Sequence, residues 1–417
     1  MSKFVIQGGK KLSGEIRVAG SKNAMFPLFA ASLLTDQECQ FTNVPEIKDT
    51  EVMVELLRDL GAEVAVSAHA VSIKAAVLSK SEPDADLAAK LRGSIVLLGA
   101  LLARTGKARI AFPGGDPIGK RPVDSHLAAF KALGAEVSTN GYIDLTAPKL
   151  VGSKIIMEES SVTATENLIL AAARAEGTTI IKLAATEPHV QQLCEFLNKM
   201  GGKISGIGTT TIIIEGVDKL SGAAIEIIPD SNEAASFITM AAATKSDIKV
   251  SHLNPDFLDD FLLTLRKMKI SMEVGPDYVH VLTPTEEYAG TKIQCGLYPK
   301  LASDDIPPLA VLATQASGES LVYEWLYENR LGYIEPLKQM GAKAEILDPH
   351  RVKIIGPSAL HAQRANSYDI RMGMTLVIAG LVATGTSEIG EIHHVDRGYE
   401  HLEERLQKIG ADIKRID

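Results

Sequence analysis

Leu57-Arg58-Asp59-Leu60-Gly61-Ala62-Glu63-Val64 decides how this chain folds. A leucine-bearing helix end runs into a Gly-Ala turn and then into a strand. The phrase returns as Phe130-Lys131-Ala132-Leu133-Gly134-Ala135-Glu136-Val137. Weaker copies are Leu197-Asn198-Lys199-Met200-Gly201-Gly202-Lys203-Ile204 and Leu265-Arg266-Lys267-Met268-Lys269-Ile270. Two more are Leu337-Lys338-Gln339-Met340-Gly341-Ala342 and Leu406-Gln407-Lys408-Ile409-Gly410-Ala411. The turn positions 61, 134, 201, 269, 341 and 410 recur at about 70-residue spacing along 417 residues. Gly suits them because a helix commonly ends on a left-handed residue, where a side chain is strained.

A second phrase lies upstream in each copy: an Ala-rich apolar helix, a small turn and a short strand. It is clearest over 167–181, 233–250, 309–322 and 375–389. Each repeat therefore reads helix, strand, loop, helix, strand, strand. The first helix is apolar nearly all round, as a buried helix must be, and the second is amphipathic and faces solvent. A period of this length is too long for a solenoid. Six α/β repeats form two domains of three, with a crossover at Ile228-Pro229-Asp230. No Ser/Gly-rich linker separates the halves, so a cleft between them is the expected small-molecule site.

Composition narrows the function. Net charge is −9, from 43 basic and 52 acidic residues, which argues against general binding to nucleic acid or acidic membranes. No apolar run is long enough to span a bilayer, and the start of the chain has no secretory hydrophobic stretch. Cys39, Cys194 and Cys295 form no pair motif, which fits structural thiols in a reducing, cytoplasmic setting.

Unusual polar residues recur at two places in each repeat. At the start of the first helix stand Lys22-Asn23, Arg92, Glu166-Asn167, Asn232-Glu233, Asp304-Asp305 and Arg371. Before the second helix stand Glu46, Arg121, Glu187, Asn254, Arg330 and Arg397. Equivalent loops of a repeated fold lie at the same end. Helix N-termini there offer unpaired N–H groups, and Arg binds two oxygens of a carboxylate or phosphate at once. Lys22, Arg92, Arg121, Arg330, Arg371 and Arg397 thus predict an anion site in an acidic protein. Any one of them alone would read as a surface charge or salt-bridge partner. The loop Ala111-Phe112-Pro113-Gly114-Gly115-Asp116-Pro117-Ile118-Gly119-Lys120-Arg121-Pro122 crowds Gly and Pro around an acid and two bases, as a functional lid would. His393-His394 predicts no metal site, because adjacent residues on a strand face opposite ways.

These residues resemble the UDP-N-acetylglucosamine 1-carboxyvinyltransferase family, the enolpyruvyl transferases of peptidoglycan synthesis. The resemblance covers essentially the whole chain. It rests on Gly20-Ser21-Lys22-Asn23-Ala24, Leu91-Arg92-Gly93-Ser94-Ile95, Pro113-Gly114-Gly115-Asp116-Pro117-Ile118-Gly119 and Arg121-Pro122-Val123-Asp124. Further matches are Ala164-Thr165-Glu166-Asn167, Glu328-Asn329-Arg330, Asp369-Ile370-Arg371 and Asp396-Arg397-Gly398-Tyr399-Glu400. It implies a two-domain inverse α/β barrel of six repeats, three per domain. Residues 22–229 would form one domain, carrying the catalytic loop 111–122. Residues 1–21 and 230–417 would form the other.

The implied reaction joins phosphoenolpyruvate to the 3-hydroxyl of UDP-N-acetylglucosamine and releases phosphate, without metal or organic cofactor. Asp116, where most members have Cys, is implied as the proton donor to C3. Asp304 is implied as the base on the hydroxyl, against a plain helix-capping role. Lys22, Arg121 and Arg397 are implied at the phosphate, with Arg92, Arg330 and Arg371 completing the cationic pocket. Asn23 and Asp369 would hold substrate or position neighbours. Pro122, Val123, Asp124, Ser161 and Val162 would line the nucleotide-sugar site.

Thr163 stands where the family usually has Gly. Tyr298-Pro299-Lys300-Leu301-Ala302-Ser303-Asp304-Asp305-Ile306 departs from Tyr-Pro-Gly-Phe-Pro-Thr-Asp-Met-Gln, and Leu331 and Tyr333 replace Phe and His. These departures keep open another nucleotide or sugar acceptor; a non-catalytic paralogue is a separate alternative, against which the retained Asp116 and Asp304 count. The shikimate-pathway transferase fits less well, because Asn-Ala follows Lys22.

Overall fold

The computed structural model describes residues 2–114, 119 and 121–417. All six turn phrases take one geometry. Gly61, Gly134, Gly201, Gly341 and Gly410 have φ between +93° and +103°, and Lys269 takes φ +61°. The next residue's N–H reaches back across the turn in every copy: Ala62 to Leu57, Ala135 to Phe130, Gly202 to Leu197, Ile270 to Leu265, Ala342 to Leu337 and Ala411 to Leu406. This bond closes a Schellman motif and satisfies a carbonyl at the helix end. Lys269 is the one copy with a strained side chain, and its ion pair with Glu286 is exposed and adds little. Lys269→Gly is expected to raise the unfolding temperature by about 1–3 °C in calorimetry. A fall would show that the turn does not carry the strain.

Two compact units emerge. One comprises Gly20–Gly115 and Arg121–Ile228; we call it the N-unit. The other, the C-unit, comprises Met1–Ala19 and Pro229–Asp417 together with Gly119. Each contains three small sheets among the described residues. The third repeat shows the plan within one continuous segment. Its central strand Thr178–Lys182 pairs parallel with Lys154–Ile156 and antiparallel with Thr211–Glu215, which pairs with Lys203–Ser205.

The first and fourth repeats exchange their parallel strands. Ser13–Arg17 precedes the N-unit helix Lys22–Ala31, yet it pairs with Asp247–Ser251 of the C-unit. Ala224–Glu226 precedes the C-unit helix Ser231–Ala243, yet it pairs with Glu38–Thr42 of the N-unit. In the sixth repeat Lys3–Gln7 lies between Thr386–Gly390 and Asp412–Ile416, supplying the hairpin strand that the C-terminal segment lacks. Residues 3–17 thereby contribute to two C-unit sheets. Glu233 fixes their end: it accepts from the Ala19 N–H and pairs with Arg405, which also donates to the Arg17 carbonyl. The second repeat has lost its parallel strand. Only the bond from Arg109 N–H to the Ser81 carbonyl remains in its place, and that sheet has three strands.

The first helix of each repeat is buried. Every residue from Ala24 to Ala31, Glu233 to Ala243, Ile306 to Thr314 and Ile370 to Leu381 is sequestered. Small residues let these helices approach: a Cβ on Gly99 would lie 2.2 Å from the Asn167 carbonyl oxygen. The two cores are Ala-, Leu-, Ile- and Val-rich, as the scarcity of aromatics requires.

One departure from the repeat positions the site. In four repeats the central strand ends on a non-Gly left-handed residue, namely Asn43, Leu183, His252 or Glu391. Among the described residues the second and fifth repeats show no such turn. There the chain runs through longer segments, before the helices Asp124–Ala132 and Ile334–Gln339. Those segments carry Arg121 and Arg330.

Candidate active site

The C-unit site is built on helix starts. Asp369 caps the helix Ile370–Val382 by accepting from the N–H groups of Arg371 and Met372 at 2.8 and 2.9 Å. That cap fixes the first turn, from which the buried Arg371 side chain projects. Its Nε donates to Asp304 Oδ2 at 2.8 Å, and its Nη1 donates to the Tyr399 hydroxyl at 3.0 Å. The Tyr399 hydroxyl also bonds Ser236 Oγ at 2.8 Å. From the fifth repeat's long loop, Arg330 Nη2 donates to Asp304 Oδ1 at 2.7 Å. Asn232 Nδ2 adds a bond to Asp304 Oδ2 at 3.2 Å.

The structure thus brings Asp304, Arg330 and Arg371 together. The two guanidinium side chains are 2% and 5% exposed, whereas the carboxylate keeps 31%, so Asp304 is the member that solvent or a ligand can reach. The capping reading of Asp304 does not hold. It lies in a 3₁₀ turn, and the helix Ile306–Thr314 receives no side-chain cap. Two charge-assisted bonds to buried guanidiniums outweigh a neutral bond to a backbone N–H. Asp305, beside it, is fully buried with Oδ1 unbonded; burial and then the Asp304 charge push its carboxyl well up.

Arg397 follows the short helix His393–Asp396 and is half-buried. His393 and His394 lie on that helix rather than on a strand, and their rings sit 4.1 Å apart.

In the N-unit, Ser21 caps the helix Lys22–Ala31, with Lys22 and Asn23 in its first turn. Lys22 Nζ sits 3.4 Å from Asp49 Oδ2, both largely buried. Arg92 Nη2 donates to the Arg121 carbonyl at 2.7 Å, so two of the expected basic residues meet. Pro122 is exposed, Val123 buried, and the exposed Asp124 opens the helix Asp124–Ala132. Ser161 and Val162 are half-buried at the start of the helix Val162–Ala172, which has no side-chain cap. Asp116 lies outside the described residues.

Sequence reading missed an interior network below this surface. The Thr163 hydroxyl bonds His126 Nε2 at 3.1 Å, and His126 Nδ1 faces Asn167 Nδ2 at 3.0 Å. Asn167 in turn holds the Gly99 N–H and the Ile95 carbonyl. Burial, then the nearby Arg92 charge, lower the His126 pKa to about 3, so the ring is neutral. A depressed histidine pKa gives stability that is complete above about 6.5 and lost as pH falls toward 3. The expected slope is ~1.4 kcal/mol per pH unit within that window. Urea titrations between pH 4 and 8 should show it, and His126→Gln should flatten it; equal slopes would exclude His126 as the source.

Glu166, at the start of a first helix, is buried, and Glu187, before a second helix, is half-buried. Burial pushes both carboxyls up, that of Glu166 further through the neighbouring Glu187. A groove of about 790 Å³ lies at the opposite helix ends, lined by Arg104, Lys107, Lys149 and Arg174 among others. Arg104 and Arg174 donate to backbone carbonyls there. Helix C-termini carry partial negative charge, so that end is poorly suited to anionic substrates.

A family model described as EPSP synthase (3-phosphoshikimate 1-carboxyvinyltransferase) matches residues 6–406, which places the chain in the carboxyvinyl, or enolpyruvyl, transferase class. The enolpyruvyl transferase NikO from Streptomyces tendae superposes with a TM-score of 0.90 at 25% identity, covering 99% of this chain and 98% of that one. An EPSP synthase from Acinetobacter baumannii shares the fold, with a TM-score of 0.79 at 19% identity over the full length of both. UDP-N-acetylglucosamine 1-carboxyvinyltransferase from Halothermothrix orenii is 42% identical over all of both chains. The one from Borreliella burgdorferi is 40% identical over all of this chain and 99% of its own. The chain belongs to the UDP-N-acetylglucosamine 1-carboxyvinyltransferase family.

Proposed function

We propose that this chain transfers the enolpyruvyl group of phosphoenolpyruvate to the 3-hydroxyl of UDP-N-acetylglucosamine, releasing phosphate, as the first committed step of peptidoglycan synthesis. The observation that carries the reading is the Asp304 carboxylate between Arg330 and Arg371, in a chain collinear with relatives of that name.

Protonation of the enol at C3 builds positive character at C2. The sugar hydroxyl attacks C2 while Asp304 takes its proton. Loss of a C3 proton then re-forms the double bond and expels phosphate. Asp116 is the acid in this scheme. Lys22, Arg121 and Arg397 bind the phosphate, and Arg92, Arg330 and Arg371 complete the cationic pocket. Arg330 and Arg371 also hold Asp304 ionised and oriented, as a base must be. Asn23, Asp369, Pro122, Val123, Asp124, Ser161 and Val162 keep the binding and positioning roles implied above. The reaction needs no metal and belongs in the cytoplasm. Among the described residues no helix is long and apolar enough to cross a membrane.

A second reading, a different nucleotide acceptor, is favoured by one feature. Thr163, tied to His126, puts a side chain where the family usually has none. Phosphate release from phosphoenolpyruvate, measured with UDP-N-acetylglucosamine and with UMP, separates the two. Release with the sugar nucleotide alone supports the first; release with UMP alone rejects it.

A further inference from the structure

Behind the site, Glu324 is a fully buried carboxylate bonded both to the turn that carries Asp304 and to the loop that leads to Arg330. Its Oε2 accepts from Ser303 Oγ at 2.7 Å, and Ser303 immediately precedes Asp304. Its Oε1 accepts from the N–H groups of Leu326 and Tyr327, at 2.8 and 3.2 Å, in the loop that leads to Arg330. The Cys295 thiol also donates to Oε1, at 3.2 Å. Burial and then the Glu324 charge push that thiol up to about 12, so it stays protonated and able to donate. Cys295 Sγ accepts in turn from the Trp325 N–H at 3.1 Å, and His350 Nδ1 bonds the Glu324 carbonyl at 2.8 Å. Glu324 is the first residue after the central strand Gly318–Tyr323, where the fifth repeat abandons the left-handed turn of its relatives.

We propose that Glu324 is a positioning residue for the transfer reaction: one carboxylate ties the Asp304 turn to the Arg330 loop and so sets the ion pair between base and guanidinium. The inference rests on the reading of Asp304 as the base. Neither Asp304 nor Arg330 is anchored to the other by a continuous element. Ser303–Asp305 is a single 3₁₀ turn, and Arg330 begins another after a six-residue loop. Two short segments that must meet at 2.7 Å need a common anchor, and Glu324 bonds both. Removing it lets Arg330 drift. Asp304 then loses one of its two guanidinium partners and binds its proton more tightly.

The test uses the full chain with Glu324→Ala, Glu324→Gln and Ser303→Ala. Glu324→Ala should lower kcat by about 100-fold, the scale of an ångström-sized misplacement. It should also move the acid limb of kcat/KM upward by roughly one pH unit, since that limb reports the free-enzyme base. KM for phosphoenolpyruvate should change less than about threefold, because Arg330 remains present. Glu324→Gln should rescue kcat to within about tenfold. The amide oxygen can take the Oε1 bonds, and the Ser303 hydroxyl can turn to accept from the amide N–H. Ser303→Ala should shift the limb the same way by less. Emission from Trp325, the chain's single tryptophan, should change in Glu324→Ala and recover in Glu324→Gln.

A merely structural Glu324 would reduce the amount of active enzyme and leave the acid limb where it is; that result overturns the proposal. So does a folded Glu324→Ala with kcat within twofold of the parent. If Glu324→Ala does not fold, Ser303→Ala decides, and an unmoved limb there overturns it. Failure of the underlying reading looks different: no phosphate release by the parent chain, or parental turnover in Asp304→Asn.

Discussion

Asp304→Asn should release phosphate roughly 10²–10⁴-fold more slowly than the parent chain, while binding phosphoenolpyruvate no more weakly. The first half follows from the loss of a base, which contributes roughly 10²–10⁴-fold in such steps. The second follows from charge. Arg330 and Arg371 face Asp304 at 2.7 and 2.8 Å, and the carboxylate offsets much of their field. The neutral amide leaves both guanidiniums to attract the substrate's carboxylate or phosphate. KM for phosphoenolpyruvate should therefore hold or fall as kcat collapses, a split that misfolding would not produce.

Stability should fall too, because two buried cations lose their counter-charge. Breaking a buried pair costs about 3–5 kcal/mol. With Asp304 31% exposed and the amide oxygen still able to accept, about 1–3 kcal/mol is the scale expected from urea midpoints. Steady-state rates within tenfold of the parent would remove Asp304 from the role of base.

The contrast between this site and its scaffold shows what a sequence makes legible. A left-handed residue at a helix end is a local demand, met by five glycines at one spacing, so the six repeats could be read from Gly61 onward. Lys269 breaks the letter of the pattern but not its geometry. The strand exchange left no such mark. Ser13–Arg17 and Ala224–Glu226 are short and unremarkable, and their partners lie more than 180 residues away in the chain.

Arg330 and Arg371 were visible as repeat-equivalent cations, yet their meeting on Asp304 spans 26 and 67 residues, so the sequence leaves base and helix cap both open for the acid. His126 and Glu324 were harder still. Each works by a polar bond formed inside the fold, and a buried polar residue looks like any other until its partner is known.

Asp116, outside the described residues, is the acid that the family resemblance implies. An acid must be protonated to deliver its proton. An ordinary aspartic acid, with a pKa of about 3.9, would be about 0.1% protonated near pH 7. Were Asp116 the acid, its environment would have to raise that value, as desolvation does for other catalytic carboxyls. The basic limb of kcat should then follow Asp116, with activity falling as pH rises through its pKa.

Asp116→Ala should lose roughly 10²–10⁴-fold in kcat. Asp116→Cys should keep measurable turnover but move the basic limb upward, toward the thiol's ordinary value of about 8.5. The same exchange should change the response to fosfomycin, which alkylates the thiol in Cys-bearing relatives. A carboxylate is a far weaker nucleophile than a thiolate. The parent chain should therefore show no time-dependent inactivation, and Asp116→Cys should show it with one equivalent of label. Stoichiometric labelling of Asp116 in the parent with loss of activity, or parental turnover in Asp116→Ala, would mean that the proton comes from another group.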